Sequence, residues 1–376
     1  MLNAQEYERK TEQASAALLA LMHARGPGIK LPTIEEMCTQ FGVSRTTLEP
    51  VLQALERRGL VRRRRGSGIY VTERIRQKTI GVVFGGNIFS SDFSPYWSLL
   101  LQAVGAQAGA FDMRPQAYLD IPQGQGGLGS HTQLIEDLDA RRLDGLLMFS
   151  LHYERDARRL VRGYGIPLVF PSGAPPDWVV TYDHDAYIRL AAPEIARHPG
   201  RRIGLLGPST HRPLLEDELR QRGLTDITID DWSYETWARI IPGAGAHEHC
   251  AYRMTQQLIS QASQHPLPDV LVSMEDTATR GVITALLQSG LHPGRDLTLI
   301  SSANARSPVL TPYADGVICF TFDPAEQARA ALTMLDTLMN GGTPTQSPVL
   351  IAPTVTPRLV ERESTIAIHD HERNPT

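Results

Sequence analysis

LPTIEEMCTQFGVSRTTLEPVLQALERRGLVRRRRGSGIYV, residues 31–71, is the stretch that decides the fold. Thr33 followed by Glu36 is the spacing of a capping box, so a helix is expected from there to about Gln40. Gly42 suits a turn that needs positive φ. Ser44 is the cap expected for a second helix, Arg45 to Arg58, in which Leu48, Val51, Leu52 and Leu55 recur at helical spacing. Gly59 ends it, and Arg62 to Arg65 lead into a Gly66-Ser67-Gly68 tip before Ile69-Tyr70-Val71 returns. Two helices around a tight turn and a basic hairpin form a winged helix-turn-helix. Such a unit places its second helix in the major groove and its wing beside the backbone.

The polar start of the second helix, Ser44, Arg45, Thr46 and Thr47, is expected to present side chains and free amides to bases and phosphates. Arg62, Arg63, Arg64 and Arg65 are expected to hold phosphate, with backbone at Gly66 and Ser67 able to approach it closely. Taken singly, a helix pair with a glycine turn or a run of arginines is as readily a plain structural feature; the order and spacing carry the reading.

The segment resembles the DNA-binding domain of the GntR family. The resemblance rests on Leu31-Pro32, Gly42-Val43-Ser44-Arg45-Thr46-Thr47, Gly59-Leu60-Val61 and Gly66-Ser67-Gly68, and it implies DNA contacts at Ser44, Arg45, Thr46, Thr47 and Gly66. Glu35 and Glu49 depart from it, standing where many members carry arginine. There a carboxylate would repel phosphate, losing the contact or turning it to base readout such as a cytosine amino group. Pro50, early in the second helix, is a further departure, expected to kink that helix or fix its first turn.

Charge supports a basic head on an acidic body. Residues 1–78 hold 14 Lys and Arg against 8 Asp and Glu, a net of +6, within a chain of 376 residues whose net charge is -4. Three widely spaced cysteines, Cys38, Cys250 and Cys319, have no metal-ligand spacing and fit a reducing cytosol. The first 25 residues read as an amphipathic helix without a signal-peptide pattern, and no apolar run is long enough for a membrane span.

From Thr79 onward, short apolar runs (IGVVF, DGLLMFS, IPLVF, RRIGLLG, PDVLVSM, LTLIS) alternate with helical stretches. That alternation predicts a parallel α/β sheet, and the helices after Thr181 and after Glu275 predict a second one, giving two doubly wound lobes around a cleft. The expected division is a head over 1–72, a linker over 73–78, a body over 79–367 and a polar tail over 368–376. Lobe one is assigned about 79–186 and 299–321, and lobe two about 187–298 and 322–355.

Residues 78–367 resemble the effector-binding body of LacI-family regulators, itself similar to periplasmic sugar-binding proteins. The matching stretches include KTIGVVF, GRRIGLLGP, PDVLVSMEDTATRGVITALLQSGLHPGRDLTLIS and FDPAEQARAALTMLDTLMNG. The resemblance implies a small-molecule, sugar-like effector and a homodimer on a palindromic operator. It places the effector against Tyr96 or Trp97 and at Glu275-Asp276, where Glu275 replaces an amide. Ser172 stands in place of a first-lobe aspartate, and Asn304 lies beside Ala303, which replaces another. The clamping arginine falls at Leu215, with Arg212 nearby, and Asp323 either touches ligand or caps the next helix.

Other motifs have plain readings. Gly124 to Gly129 matches GxGxxG but follows Pro122 too loosely for a dinucleotide turn, so a loop is expected. His247-Glu248-His249-Cys250 is expected at a surface loop or helix start, not around a metal, and His369 and His371 fall in the tail. Neither a cofactor nor a catalytic constellation is expected. The function implied is an effector-controlled transcription factor, by default a repressor. The alternatives are a body that only dimerises or binds a protein partner, and an α/β enzyme.

Overall fold

The computed structural model describes residues 4–84, 94–119, 131–149, 159, 163–170, 178–198, 200–233, 236, 247–262 and 266–355. The head holds α1 (Ala4–Arg25), α2 (Ile34–Phe41), α3 (Arg45–Arg57) and the hairpin β1 (Val61–Arg64) with β2 (Gly68–Val71). Its local signals act as the sequence predicts. The Thr33 amide donates to Glu36 Oε2 at 2.7 Å while the Glu36 amide donates to Thr33 Oγ1 at 3.2 Å, closing the capping box. A cap of this kind stabilises by about 1 kcal/mol. Gly42 takes φ 66° and ends α2. Leu48, Leu52 and Leu55 of α3 pack against Ala14, Leu18 and Met22 of α1 and against Val61, Ile69 and Val71 of the wing. Each such buried leucine contributes roughly 1.5–3 kcal/mol.

The short linker expected over 73–78 is largely ordered. Residues 73–76 form a 3-10 turn whose Ile75, 4% exposed, belongs to the head core, and the first strand of the body starts at Lys78. Head and body are therefore joined by Gln77 alone outside regular structure.

Lobe one is a six-stranded sheet in the order β13-β7-β6-β5-β3-β4, wholly parallel. Its strands are β3 (Lys78–Phe84), β4 (Met113–Tyr118), β5 (Gly145–Phe149), β6 (Leu168–Phe170), β7 (Trp178–Tyr182) and β13 (Val349–Ile351). Lobe two has the order β14-β12-β11-β10-β8-β9, parallel except for β14. These are β8 (Arg202–Leu206), β9 (Thr228–Asp231), β10 (Val270–Ser273), β11 (Thr298–Asn304), β12 (Val317–Phe322) and β14 (Thr354–Val355). Central strands such as β5 and β10 are buried throughout because helices cover both faces.

The sheet order corrects the lobe boundaries. Residues 299–321, assigned to lobe one, carry β11 and β12 of lobe two. Most of 322–355, assigned to lobe two, carries α10 (Pro324–Met339) and β13 of lobe one. Ala328, Ala331, Leu332 and Leu335 of α10 pack with Ile80 of β3 and with Leu100 and Val104 of α4 (Pro95–Gln107). The chain thus passes between lobes after Tyr182, after Phe322 and after Ile351. A helix after a strand reads alike whichever sheet it rejoins, so the pattern could not assign it.

Two helices of lobe two, α8 (His247–Ser260) and α9 (Asp276–Gln288), meet backbone to backbone. A Cβ on Gly281 would lie 2.1 Å from the Glu248 carbonyl oxygen. Arg280 of α9 also grips the Glu248 carboxylate, with its Nε at 2.7 Å. This close packing fixes the start of α9, where the effector residues expected at 275–276 lie.

Candidate functional site

The head presents Ser44, Arg45 and Thr46 to solvent at the N-terminus of α3. Ser44 Oγ accepts from the Thr47 amide at 3.2 Å and lies 2.7 Å from the Thr46 hydroxyl. The helix dipole leaves partial positive charge at this end, suited to a phosphate. Thr47 is a correction: it is 1% exposed, its hydroxyl 2.9 Å from Ser44 Oγ, so it supports the cap and faces no partner.

The wing divides its four arginines by strand alternation. Val61 points into the core, and Arg63, two residues on, points to α3. There Arg63 Nη1 meets Glu49 Oε1 at 2.8 Å and Nε meets Glu56 Oε2 at 3.1 Å. This corrects two expectations together. Arg63 is neutralised by two carboxylates rather than free for phosphate, and Glu49 anchors the wing rather than pointing to a base. Arg64 lies 4.8 Å over the Tyr70 ring, and Ser67 Oγ is 2.7 Å from the Tyr70 hydroxyl. Arg62 and Arg65 are exposed and pair with no carboxylate among the described residues. Gly66, φ 70°, forms the tip.

Pro50 does not break α3, which runs on to Arg57. Lacking an N–H, it leaves the Thr46 carbonyl without its usual donor. The Tyr7 hydroxyl of α1 stands 3.4 Å from that carbonyl and supplies a long replacement.

Glu49→Gln should remove one anchor of Arg63 and a negative charge beside the DNA-facing end. We expect about fivefold tighter non-specific DNA binding at low salt and a steeper salt slope. Gel-shift titration across KCl concentrations checks it; an unchanged slope would refute the role given to Glu49.

In the body, residues at the carboxyl ends of the strands converge where the lobes meet. The Tyr182 ring, at the end of β7, stacks on Phe322, at the end of β12, with centroids 4.2 Å apart. Tyr96 lies edge-on to Tyr182 at 5.5 Å and to Trp97 at 4.8 Å. The Tyr182 hydroxyl donates to Asn304 Oδ1 at 3.0 Å, and Asn304 Nδ2 faces Asp276 Oδ2 at 3.5 Å. Asp276 is 2% exposed, and its Oδ1 is buried without a hydrogen-bond partner. Burial, and the charge of Glu275, push its carboxyl above the ordinary carboxylate range, although hydrogen bonds from Ser307 and Asn304 oppose this.

The structure brings together Tyr96, Trp97, Asp276 and Asn304 of the expected effector residues. Three others, Glu275, Arg212 and Asp323, have partners of their own. The Glu275 carboxylate holds His247 and Thr277. Arg212, the first residue of α7 (Arg212–Gln221), pairs with Glu216 at 2.8 Å, correcting its placement as a clamp. Asp323 accepts from the Ala325 amide at 2.8 Å and caps α10. Tyr96 is tied by its hydroxyl to Gln327 Oε1 at 2.8 Å. Ser172, the Gly124–Gly129 loop and the tail histidines lie outside the described residues.

Two residues at this site escaped the sequence reading. Tyr182 and His184 flank Asp183, the cap of α6 (His184–Arg197). The signal was an aromatic at a strand's carboxyl end directly before a helix cap. His184 is packed against Phe322, with ring centroids 5.6 Å apart, and its Nδ1 has no partner among the described residues. Burial, aided by neighbouring His211, holds its pKa down at about 4, so it is neutral at pH 7. A histidine depressed in the folded state favours folding above its ordinary value of 6.5, and that stability is lost as pH falls through 4. His184→Phe should flatten the fall in Tm between pH 6.5 and 4; an equally steep fall would exclude His184 as its source.

Residues 11–71 match the family model of bacterial regulatory proteins of the gntR family. Residues 195–365 match that of the periplasmic binding protein-like domain. The head is a GntR-type DNA-binding domain and the body a periplasmic-binding-protein-like domain, the make-up of a transcription regulator. The regulator's fold is similar to that of CcpA of Lactococcus lactis, at 14% identity and TM-score 0.57, over 75% of this chain and 98% of that one. It is also similar to a dimeric Lac repressor with a C-terminal deletion, at 18% identity and TM-score 0.54, over 74% and 97%. A LacI-family regulator from Weissella paramesenteroides with bound sucrose matches at 14% identity and TM-score 0.55, over 75% and 97%. The head's match to bacterial regulatory proteins and the fold of the body point to transcription regulation. Among its described residues no helix is long and apolar enough to cross a membrane, and no histidine, cysteine and carboxylate group could hold a metal ion.

Proposed function

We propose that the regulator is a cytoplasmic repressor, acting as a homodimer on a palindromic operator and controlled by a small sugar-like effector between its lobes. Ser44, Arg45 and Thr46 read the operator, while Arg62, Arg64, Arg65 and the tip backbone at Gly66 and Ser67 hold phosphate. The dimer sets half-site spacing. The Lac repressor dimer bound to operator is the precedent for this arrangement, and the sucrose-bound Weissella protein for the ligand.

The observation that carries the effector reading is Asp276 Oδ1, buried and unsatisfied beside a polar chain of Tyr182 and Asn304 that spans both lobes. A buried carboxylate oxygen without a donor is costly, and a sugar hydroxyl would supply one. Tyr182 and Trp97 offer the apolar faces on which a sugar ring rests. An effector that bridges the lobes biases their relative rotation, and Ile75 passes that movement to the head.

A thermal-shift screen of the full chain against neutral sugars and polyols tests this, coupled to footprinting upstream of its own gene. Concentration-dependent stabilisation by one sugar, with a matching shift in operator affinity, is the expected result. A second reading, a body kept for dimerisation or a protein partner, draws on the internal pairing of Glu275, Arg212 and Asp323. Footprinting without any stabilising ligand would favour it.

A further inference from the structure

The head and body meet across a groove of about 130 Å³ that is strongly cationic. The head contributes Arg58, Arg74 and Arg76, and the body contributes Arg114, Arg141 and Arg142, over a floor that includes Leu60 and Ile75. One carboxylate, Asp144, lines it, and its Oδ2 already accepts from the Thr79 amide at 2.7 Å. Arg142 is paired with Asp137 at 2.8 Å, and Arg76 is 3.9 Å from Glu73. Arg58, Arg74, Arg114 and Arg141 pair with no carboxylate among the described residues.

Cations from two domains that outnumber the carboxylates beside them repel one another, and the groove is shaped around them nonetheless. Gly59 leaves the room that Arg74 occupies, since a Cβ there would lie 2.8 Å from Arg74 Nη1. Arg141 takes a left-handed conformation, φ 49°, just beyond α5 (Thr132–Asp139), where glycine or asparagine is the usual choice. Burial and the nearby Arg142 and Arg114 lower the pKa of Arg58, outweighing the opposing charges of Asp144 and Asp137.

We propose that this groove is an anion site taking a phosphoryl group, as inorganic phosphate or on a small metabolite, and that its occupancy locks head to body. Arginine forks suit tetrahedral oxyanions. The volume is below that of pockets for whole drug-sized ligands, so it admits one phosphoryl group with the rest of any metabolite outside. The groove is not an extension of the DNA-reading surface. It lies at the carboxyl end of α3, about 20 Å along the helix from Ser44. The site is independent of the cleft between the lobes and of any sugar held there.

Calorimetric titration of the full chain with inorganic phosphate and with glycerol 3-phosphate, at ionic strength fixed with chloride, tests the assignment. Saturable binding of one anion per chain is expected, weakened at least tenfold in both Arg58→Gln and Arg141→Gln and unchanged in Arg45→Ala. Tighter binding of glycerol 3-phosphate identifies an organic phosphate as the occupant; equal binding identifies the ion itself. Circular dichroism establishes that the variants fold, and exposed Arg141 serves if the Arg58 variant does not. Absence of saturable binding, or binding indifferent to both substitutions, overturns the proposal. So does a result in which Arg58→Gln lowers only DNA affinity and its salt slope, which would give the groove to the DNA backbone.

Discussion

Arg45→Ala is expected to lower operator affinity by roughly 5- to 150-fold, the equivalent of about 1–3 kcal/mol, while binding to unrelated DNA changes little. Arg45 is exposed at the first turn of α3, and no carboxylate holds it among the described residues. The turn beneath it is made rigid by the Ser44 cap, by buried Thr47 and by Leu48 at 0% exposure. A guanidinium launched from so fixed a turn can address a guanine edge in two-donor fashion, which is where sequence discrimination comes from. The exposed wing arginines, by contrast, act on phosphates common to every sequence. Competition gel shifts with operator and scrambled duplexes, at one salt concentration, measure the ratio directly. If operator and scrambled affinities fell together, Arg45 would be a backbone contact and the docking of α3 proposed above would be wrong.

The head was legible in sequence because its determinants are local. Thr33 with Glu36, Gly42 and Ser44 each act within a few residues, and each takes the conformation its chemistry requires. The exceptions were also written in the spacing. Thr47, Val51 and Leu55 fall on one helical stripe, which is why Thr47 is buried rather than presented. Glu49 and Glu56 stand seven residues apart on one face of α3, and Arg63 shares the inward face of β1 with Val61, so the three were placed to meet. The lobes were less legible. In a parallel sheet buried on both sides, β11 and β12 look like strands of either lobe, and only contacts distant in sequence assign them. The same holds at the cleft. Tyr182 and Phe322 are 140 residues apart in the chain, and neither carries a local sign that their rings stack.

Asp276→Ala is expected to weaken the effector response by about 10- to 150-fold, the range of a hydrogen bond to a charged group, while effector-free operator binding persists. The separation follows from position. Asp276 lies at the start of α9 in lobe two, far along the chain from α3, and its unsatisfied Oδ1 has no role in holding the head. The neutral isostere sharpens the test through its effect on stability. A carboxyl whose folded pKa is raised by burial favours folding below its ordinary pKa of 3.8, and that contribution is lost as pH rises through the folded value. Removing the charge should therefore raise the Tm of Asp276→Asn at pH 7, with the gain shrinking as pH falls towards 4. Side chains placed for a ligand commonly carry such a cost in the unliganded protein. Thermal unfolding across pH, set beside effector titrations of operator binding, gives both readouts. Higher Tm with lost effector response assigns Asp276 to the ligand. Lower Tm at every pH would mean the carboxylate is a structural part of the lobe, and the effector would have to be sought elsewhere in the cleft.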